Sequence, residues 1–129
     1  MYELVADVES YPSFLPWCRA ATVHARSAEE ATATLQVARG PLRINFSTRN
    51  VMHTPERIEL HLLDGPFREL EGTWRFTPLG EEGSKVSLHL AFEFSSGLVR
   101  ATMAPIFRDI ADTMLAAFCT RADQVHGRR

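Results

Sequence analysis

Five carboxylates stand where a proton could be taken or given: Asp7, Glu9, Asp64, Glu71 and Glu93. General acid–base chemistry asks for two such groups in contrasting surroundings, or one beside a histidine. No pair of that kind stands out. Asp7 and Glu9 flank Val8 and suit capping or pairing with arginine. Asp64 opens the turn Asp64-Gly65-Pro66, where an aspartate serves its own backbone, and Glu93 alternates with Phe92 and Phe94 and so points away from them. The five histidines, His24, His53, His61, His89 and His126, share no ligand spacing, and Cys18 and Cys119 lie too far apart for one. No nucleophile elbow, phosphate loop or HExxH occurs. These residues predict no catalytic group, no metal, no required cofactor, and two reduced thiols in a cytoplasmic protein.

Arginine is the second theme, at Arg39, Arg43, Arg49, Arg68, Arg75, Arg100 and Arg108. Arg43 and Arg49 fall on the polar side of one strand pattern and Arg75 on that of another. Such a patch could meet phosphate, RNA or the polar head of a ligand. Glu59, Glu69 and Glu93 interleave with it, and no aromatic residues do, which favours a solvated face over a single-strand binding platform. The chain has 129 residues, 14 basic and 16 acidic, with a net charge of −2. That balance excludes a general attraction to nucleic acid or anionic lipid. At 45% hydrophobic it suits one globular domain, and no apolar run approaches the ~20 residues that span a bilayer.

The elements that must position these groups follow from periodicity. Residues 98–124 carry Val99, Met103, Ile106, Phe107, Ile110, Met114, Leu115 and Phe118 at steps of three and four, which predicts a long helix with one buried stripe. Ser95 and Ser96 offer a cap and Gly127 a stop. Pro105 falls inside the pattern and predicts a kink that frees the first turn as a gate. Before the helix, strands are predicted at 20–25, 31–39, 42–52, 58–63, 70–78 and 85–94, joined by turns at Glu29-Glu30, Gly40-Pro41, Thr54-Pro55-Glu56 and Asp64-Gly65-Pro66 and by a hairpin loop at 80–83. Residues 1–8 read as a short helix, and the segment from Glu9 to Cys18, with Pro12 and Pro16, as a turn or second short helix.

The expected class is α+β: a curved antiparallel sheet, dry on one face and covered there by the helix. Imperfect closure leaves an apolar cavity. Its predicted sheet wall is Phe46, Leu60, Leu62, Trp74, Phe76, Leu88, Leu90 and Phe92, and its helix wall Met103, Phe107, Ile110 and Met114. Tyr11, Phe14, Trp17 and Phe67 are the expected lid residues. A guest's head group would meet Trp17, Tyr11 or Arg49.

The segments MYELVADVESYPSFLPWC, FSTRN at 46–50, LLDGPFRELEGTWRFTP and FEF at 92–94 resemble the ubiquinone-binding-protein and RatA-type ribosome-association toxin family, within the START-like polyketide cyclase/dehydrase (SRPBCC) superfamily. The resemblance spans essentially the whole chain. It implies a helix-grip fold whose cavity binds ubiquinone or another polyisoprenoid lipid without turnover, in support of respiration. It also implies, as alternatives, a toxin that binds a ribosomal subunit and blocks subunit association, or a cyclase/dehydrase-like enzyme. A quinone carrier of this type would be cytoplasmic or peripheral at the inner membrane, touching the membrane surface transiently. Family members open with a strand that precedes the first helix here. Residues 1–129 are therefore expected to form one START-like domain, N-terminally truncated relative to the family, with about six strands. The last strand, 85–94, would then expose an edge that favours dimerisation.

Overall fold

The computed structural model describes residues 2–78 and 84–126. Helix α1 (Tyr2–Ala6) runs into a 3-10 helix (Val8–Ser13), followed by β1 (Cys18–Arg26), β2 (Glu30–Arg39), β3 (Leu42–His53), β4 (Arg57–Asp64), β5 (Phe67–Pro78), β6 (Ser84–Phe94) and α2 (Gly97–His126). The strands form one antiparallel meander in chain order, with β1 and β6 at its edges. The predicted loop at 80–83, the stop at Gly127 and the side chain of Val99 lie outside the described residues.

Strict alternation sets the two faces of this sheet. Along β3, Leu42, Phe46, Thr48 and Asn50 are buried, while Arg43 and Asn45 are exposed. Ile58 on β4 and Leu70, Trp74 and Phe76 on β5 continue the inner face, and Phe94 ends it on β6. Register shifts lie in β1, between Ser47 and Thr48 on β3, and between Phe67 and Glu69 on β5. The last of these lets Phe67, an odd-numbered residue, join the even-numbered inner face. At Gly65 the chain takes φ +146°, and a Cβ there would stand 2.6 Å from that of Phe46; only glycine lets the β4–β5 turn lie against β3.

Helix α2 covers the inner face with Phe107, Ile110 and Phe118. It runs as one helix through Pro105, whose side chain is exposed. Arg39 at the end of β2 pairs with Asp109 at 2.5 Å, tying the helix to the sheet rim. Two aromatic clusters hold the helix down. In one, Phe107 meets Phe46, Phe67, Phe92 and Phe94; in the other, Phe118 meets Tyr11, Phe14 and Trp74 at 5.1–5.2 Å between ring centres. Eleven residues of helix separate the two anchors, about 16 Å at ~1.5 Å per residue.

Candidate functional site

Between the two aromatic anchors the sheet and helix do not meet fully. A cavity of about 70 Å³ remains, room for on the order of five water-sized spheres at ~10–15 Å³ each. Ala33 and Leu35 of β2, Phe46, Thr48 and Asn50 of β3, Leu60 of β4, Leu70 and Trp74 of β5, and Leu88 and Leu90 of β6 form one wall. Phe107 and Met114 of α2 form the other, with Val8, Tyr11 and Trp17 closing one side. Small side chains make the space: Ala33 on β2, and Gly72 on β5, where an added Cβ would lie 2.9 Å from Leu90 Cδ1 and 3.3 Å from Leu60 Cδ1.

Of the sixteen residues expected to line the cavity, Tyr11, Trp17, Phe46, Leu60, Trp74, Leu88, Leu90, Phe107 and Met114 do so. The other seven pack around it instead. Phe67 and Phe92 belong to the Phe107 cluster, with Arg108 over the Phe92 ring at 5.1 Å. Phe14 lies between Phe118 and the Arg121 guanidinium, and Phe76 meets Tyr2 edge-on at 5.4 Å. Ile110 is buried, and Leu62 and Met103 are half-buried against the core. Aromatic rings that reach one another fill the ends of the groove, and the gap survives between them, where Ala33, Leu35, Leu60, Leu88 and Leu90 share its wall.

Val8, Ala33, Leu35, Leu70, Thr48 and Asn50 were not anticipated. The last two are the buried polar residues among those described, 9% and 5% exposed. Thr48 Oγ1 donates to Asn50 Oδ1 at 2.7 Å. The signal was present: Thr48 and Asn50 share the parity of Leu42, Ile44 and Phe46, so the pleat turns them inward despite their polarity.

The expected head-group contacts fare differently. Trp17 lines the cavity. So does Tyr11, but its hydroxyl donates to the Val5 carbonyl, and burial pushes its pKa well above the usual phenol value. Arg49 is on the outer face, paired with Glu30 at 3.2 Å. Nor do Arg43, Arg49 and Arg75 form one patch. Arg43 and Arg49 are six residues apart on one strand, about 20 Å at ~3.3 Å per residue, and Arg75 sits opposite Arg57 two strands away from β3. The neighbour of Arg43 is instead Arg19, and the two share an open outer groove with Gln36 and Asn45.

None of the five candidate carboxylates lines the cavity. Asp7 accepts from Ser10 Oγ, Glu9 pairs with Arg26 at 3.9 Å, Glu71 with His61 at 3.3 Å and Glu93 with Arg68 at 3.5 Å. Asp64 is exposed at its turn. On the outer face Glu59 gathers Arg57, His61 and His53 within 3.0–3.3 Å, and the Arg57 hydrogen bond, then that of His61, hold its carboxyl below the usual range. Among the described residues no group of three or more His, Cys, Asp or Glu is placed to hold a metal, and no helix is long and apolar enough to cross a membrane.

A six-stranded antiparallel sheet gripping a long C-terminal helix around an apolar cavity defines a START-like helix-grip protein. The chain belongs to the polyketide cyclase/dehydrase and lipid transport family, whose model matches residues 1–119. It is 46% identical over 127 residues to the ribosome association toxin RatA of Pseudomonas aeruginosa, covering 98% of this chain and 88% of the relative. It is 31% identical over 135 residues to the mitochondrial coenzyme Q-binding protein COQ10 homolog B of Xenopus laevis, covering all of this chain and 54% of that one. In fold it superposes on the Zhui aromatase/cyclase of a Streptomyces species with a TM-score of 0.84 at 16% identity, over 95% of this chain and 84% of the other.

Proposed function

We propose that this protein binds a hydrophobic small molecule, a polyisoprenoid quinone above all, in the cavity between sheet and α2, and does so without turning it over. The observation that carries this reading is the cavity itself: about 70 Å³ of space in an otherwise close-packed interior, walled mainly by apolar side chains. The ionisable group on its wall among the described residues is the Tyr11 phenol, which burial keeps protonated and which is bonded to Val5. That favours binding over proton transfer. The coenzyme Q-binding relative points to a quinone as the guest.

The space as it stands suits a few methyl branches. A longer tail needs the half-buried Leu90 and Met114 to swing aside, which an unbranched thioether does readily. Each Å² of tail buried then contributes ~25 cal/mol. Native mass spectrometry with lipid extraction, on protein from a quinone-producing host, tests the reading. A co-purifying quinone that is lost in folded Leu90→Arg and Met114→Arg variants is the expected result. Protein that emerges empty, and takes up no added quinone, refutes it.

A second reading, association with a ribosomal subunit, is favoured by the 46% identical relative of that name. Arg19 and Arg43 support it, since neither forms an ion pair among the described residues and both face one outer groove. Contacts to phosphate weaken steeply with salt. Co-sedimentation with subunits should therefore fall between low and high salt, and fall again in an Arg19→Glu/Arg43→Glu variant.

A further inference from the structure

Asn50 has a property that the apolar cavity alone does not explain. It sits 5% exposed on the cavity wall, two residues from Thr48, which is 9% exposed on the same wall. The Thr48 hydroxyl donates to its Oδ1 at 2.7 Å. That bond fixes the amide plane and leaves Nδ2, a two-hydrogen donor, with no acceptor among the described residues. A polar pair on an otherwise apolar cavity wall costs desolvation, and a valine in place of Thr48 with a leucine in place of Asn50 would fill this wall without that cost.

We infer that Asn50 is the head-group anchor of the site: its amide donates to a carbonyl oxygen carried by an otherwise apolar, uncharged ligand. Thr48 is a positioning residue that holds the amide with its nitrogen turned to the guest. The class follows from what surrounds the donor. Among the described residues no lysine, arginine or histidine lines the cavity, so a carboxylate or phosphate head would be buried without a countercharge. A pure hydrocarbon would fill the space but leave the amide unbonded. A neutral quinone, ketone or ester satisfies both the walls and the donor. The assignment rests on the cavity-binding reading above and makes it more specific.

The test compares two probes of equal tail length, a decyl-substituted benzoquinone and decylbenzene. Both tryptophans of the chain, Trp17 and Trp74, line the cavity, so quinone binding is read by fluorescence quenching and decylbenzene binding by displacement. The wild-type protein should prefer the quinone by about two- to twelvefold, the range of one net hydrogen bond. Asn50→Leu should erase that preference while binding decylbenzene at least as well, and Thr48→Val should reduce it partway. Leu90→Arg should abolish binding of both probes. Unchanged quinone preference in Asn50→Leu, with Leu90→Arg still blocking both probes, overturns the role of Asn50 and leaves the cavity reading standing. No binding of either probe to the wild-type protein overturns both. If Asn50→Leu does not fold, Thr48→Val decides: a preference held at the wild-type ratio refutes the assignment, and a lowered ratio supports it.

Discussion

Adding one methyl group at Gly72 tests whether a ligand occupies the place where β4, β5 and β6 face α2. In Gly72→Ala the new Cβ would stand 2.9 Å from Leu90 Cδ1 and 3.3 Å from Leu60 Cδ1. Comfortable carbon contacts begin near ~3.5 Å, so Leu90 must withdraw by roughly 0.6 Å and Leu60 by a few tenths. Both obstacles are tips of rotatable side chains, and both already line the cavity, so the free direction is inward. The protein should tolerate this. A side chain pushed off its rotamer costs about 0.5–1.5 kcal/mol, and replacing glycine within a strand returns about 0.5–1 kcal/mol. Urea unfolding should therefore shift by no more than ~1 kcal/mol. The ligand has no such compensation, because the lost space comes from a cavity of only about 70 Å³. Overpacking of ~1–3 kcal/mol then falls on the complex alone, an affinity loss of about fivefold or more. The assay is titration of the benzoquinone probe against tryptophan fluorescence in both proteins. A variant of unchanged stability that binds the probe as tightly as the wild type would show that the guest does not sit between Leu60 and Leu90.

Phe118→Ala should be far more damaging, because the ring is fully buried and is the shared partner of Tyr11, Phe14 and Trp74; a loss of about 3–5 kcal/mol by urea denaturation is expected, and a loss under ~1.5 kcal/mol would mean that this end of α2 is not anchored as described. Alkali should destabilise the protein: burial raises the Cys18 pKa from about 9 to about 11 and pushes that of Tyr11 higher than usual. Both folded-state values lie above the unfolded ones, so the stability tied to the protonated forms is intact below pH ~9 and is lost as pH rises through 11. Equilibrium unfolding across pH 8–11 should show the decline, and Cys18→Ala should flatten its lower part. The native protein should also offer one thiol to a disulfide reagent at neutral pH, since Cys119 is exposed while Cys18 is buried and held protonated; two equally fast thiols would contradict the packing of Trp17 and Cys18 on the sheet.

Most of the fold could be read from periodicity, because strands with one dry face repeat every two residues and the covering helix every three or four. The pattern failed where the inner face turns polar. In β3 the alternation Leu42, Ile44, Phe46 continues as Thr48, Asn50, Met52, and a reading keyed to hydrophobicity stops at Phe46, whereas the pleat does not. Counting by position rather than by polarity would have placed Asn50 in the cavity and Arg49 outside it. The size of the cavity was not in the pattern either. Phe76 and Phe92 face inward, as their spacing says, but ring-to-ring packing of Phe67, Phe76 and Phe92 with Tyr2, Phe94 and Phe107 decides that they close the groove instead of lining a space. Phe67 owes its inward position to the register shift before Glu69, a feature with no residue signature of its own here.

Two neighbouring strands, β2 and β3, contribute to both candidate surfaces, and the alternation along β3 keeps them apart. Phe46, Thr48 and Asn50 face the cavity, while Arg43 and Asn45 face the outer groove shared with Arg19. Side chains on opposite faces of a sheet share a backbone but not contacts, so a guest beneath α2 and a phosphate on the arginines would compete for no atom. The two readings are thus separable by construction rather than exclusive. Charge reversal at Arg19 and Arg43 leaves the cavity wall untouched, and Leu90→Arg or Asn50→Leu leaves the arginine face untouched. Only a coupling through the curvature of the sheet itself could link them. That coupling would show as a change in subunit association when the cavity is filled, with no side chain common to both sites.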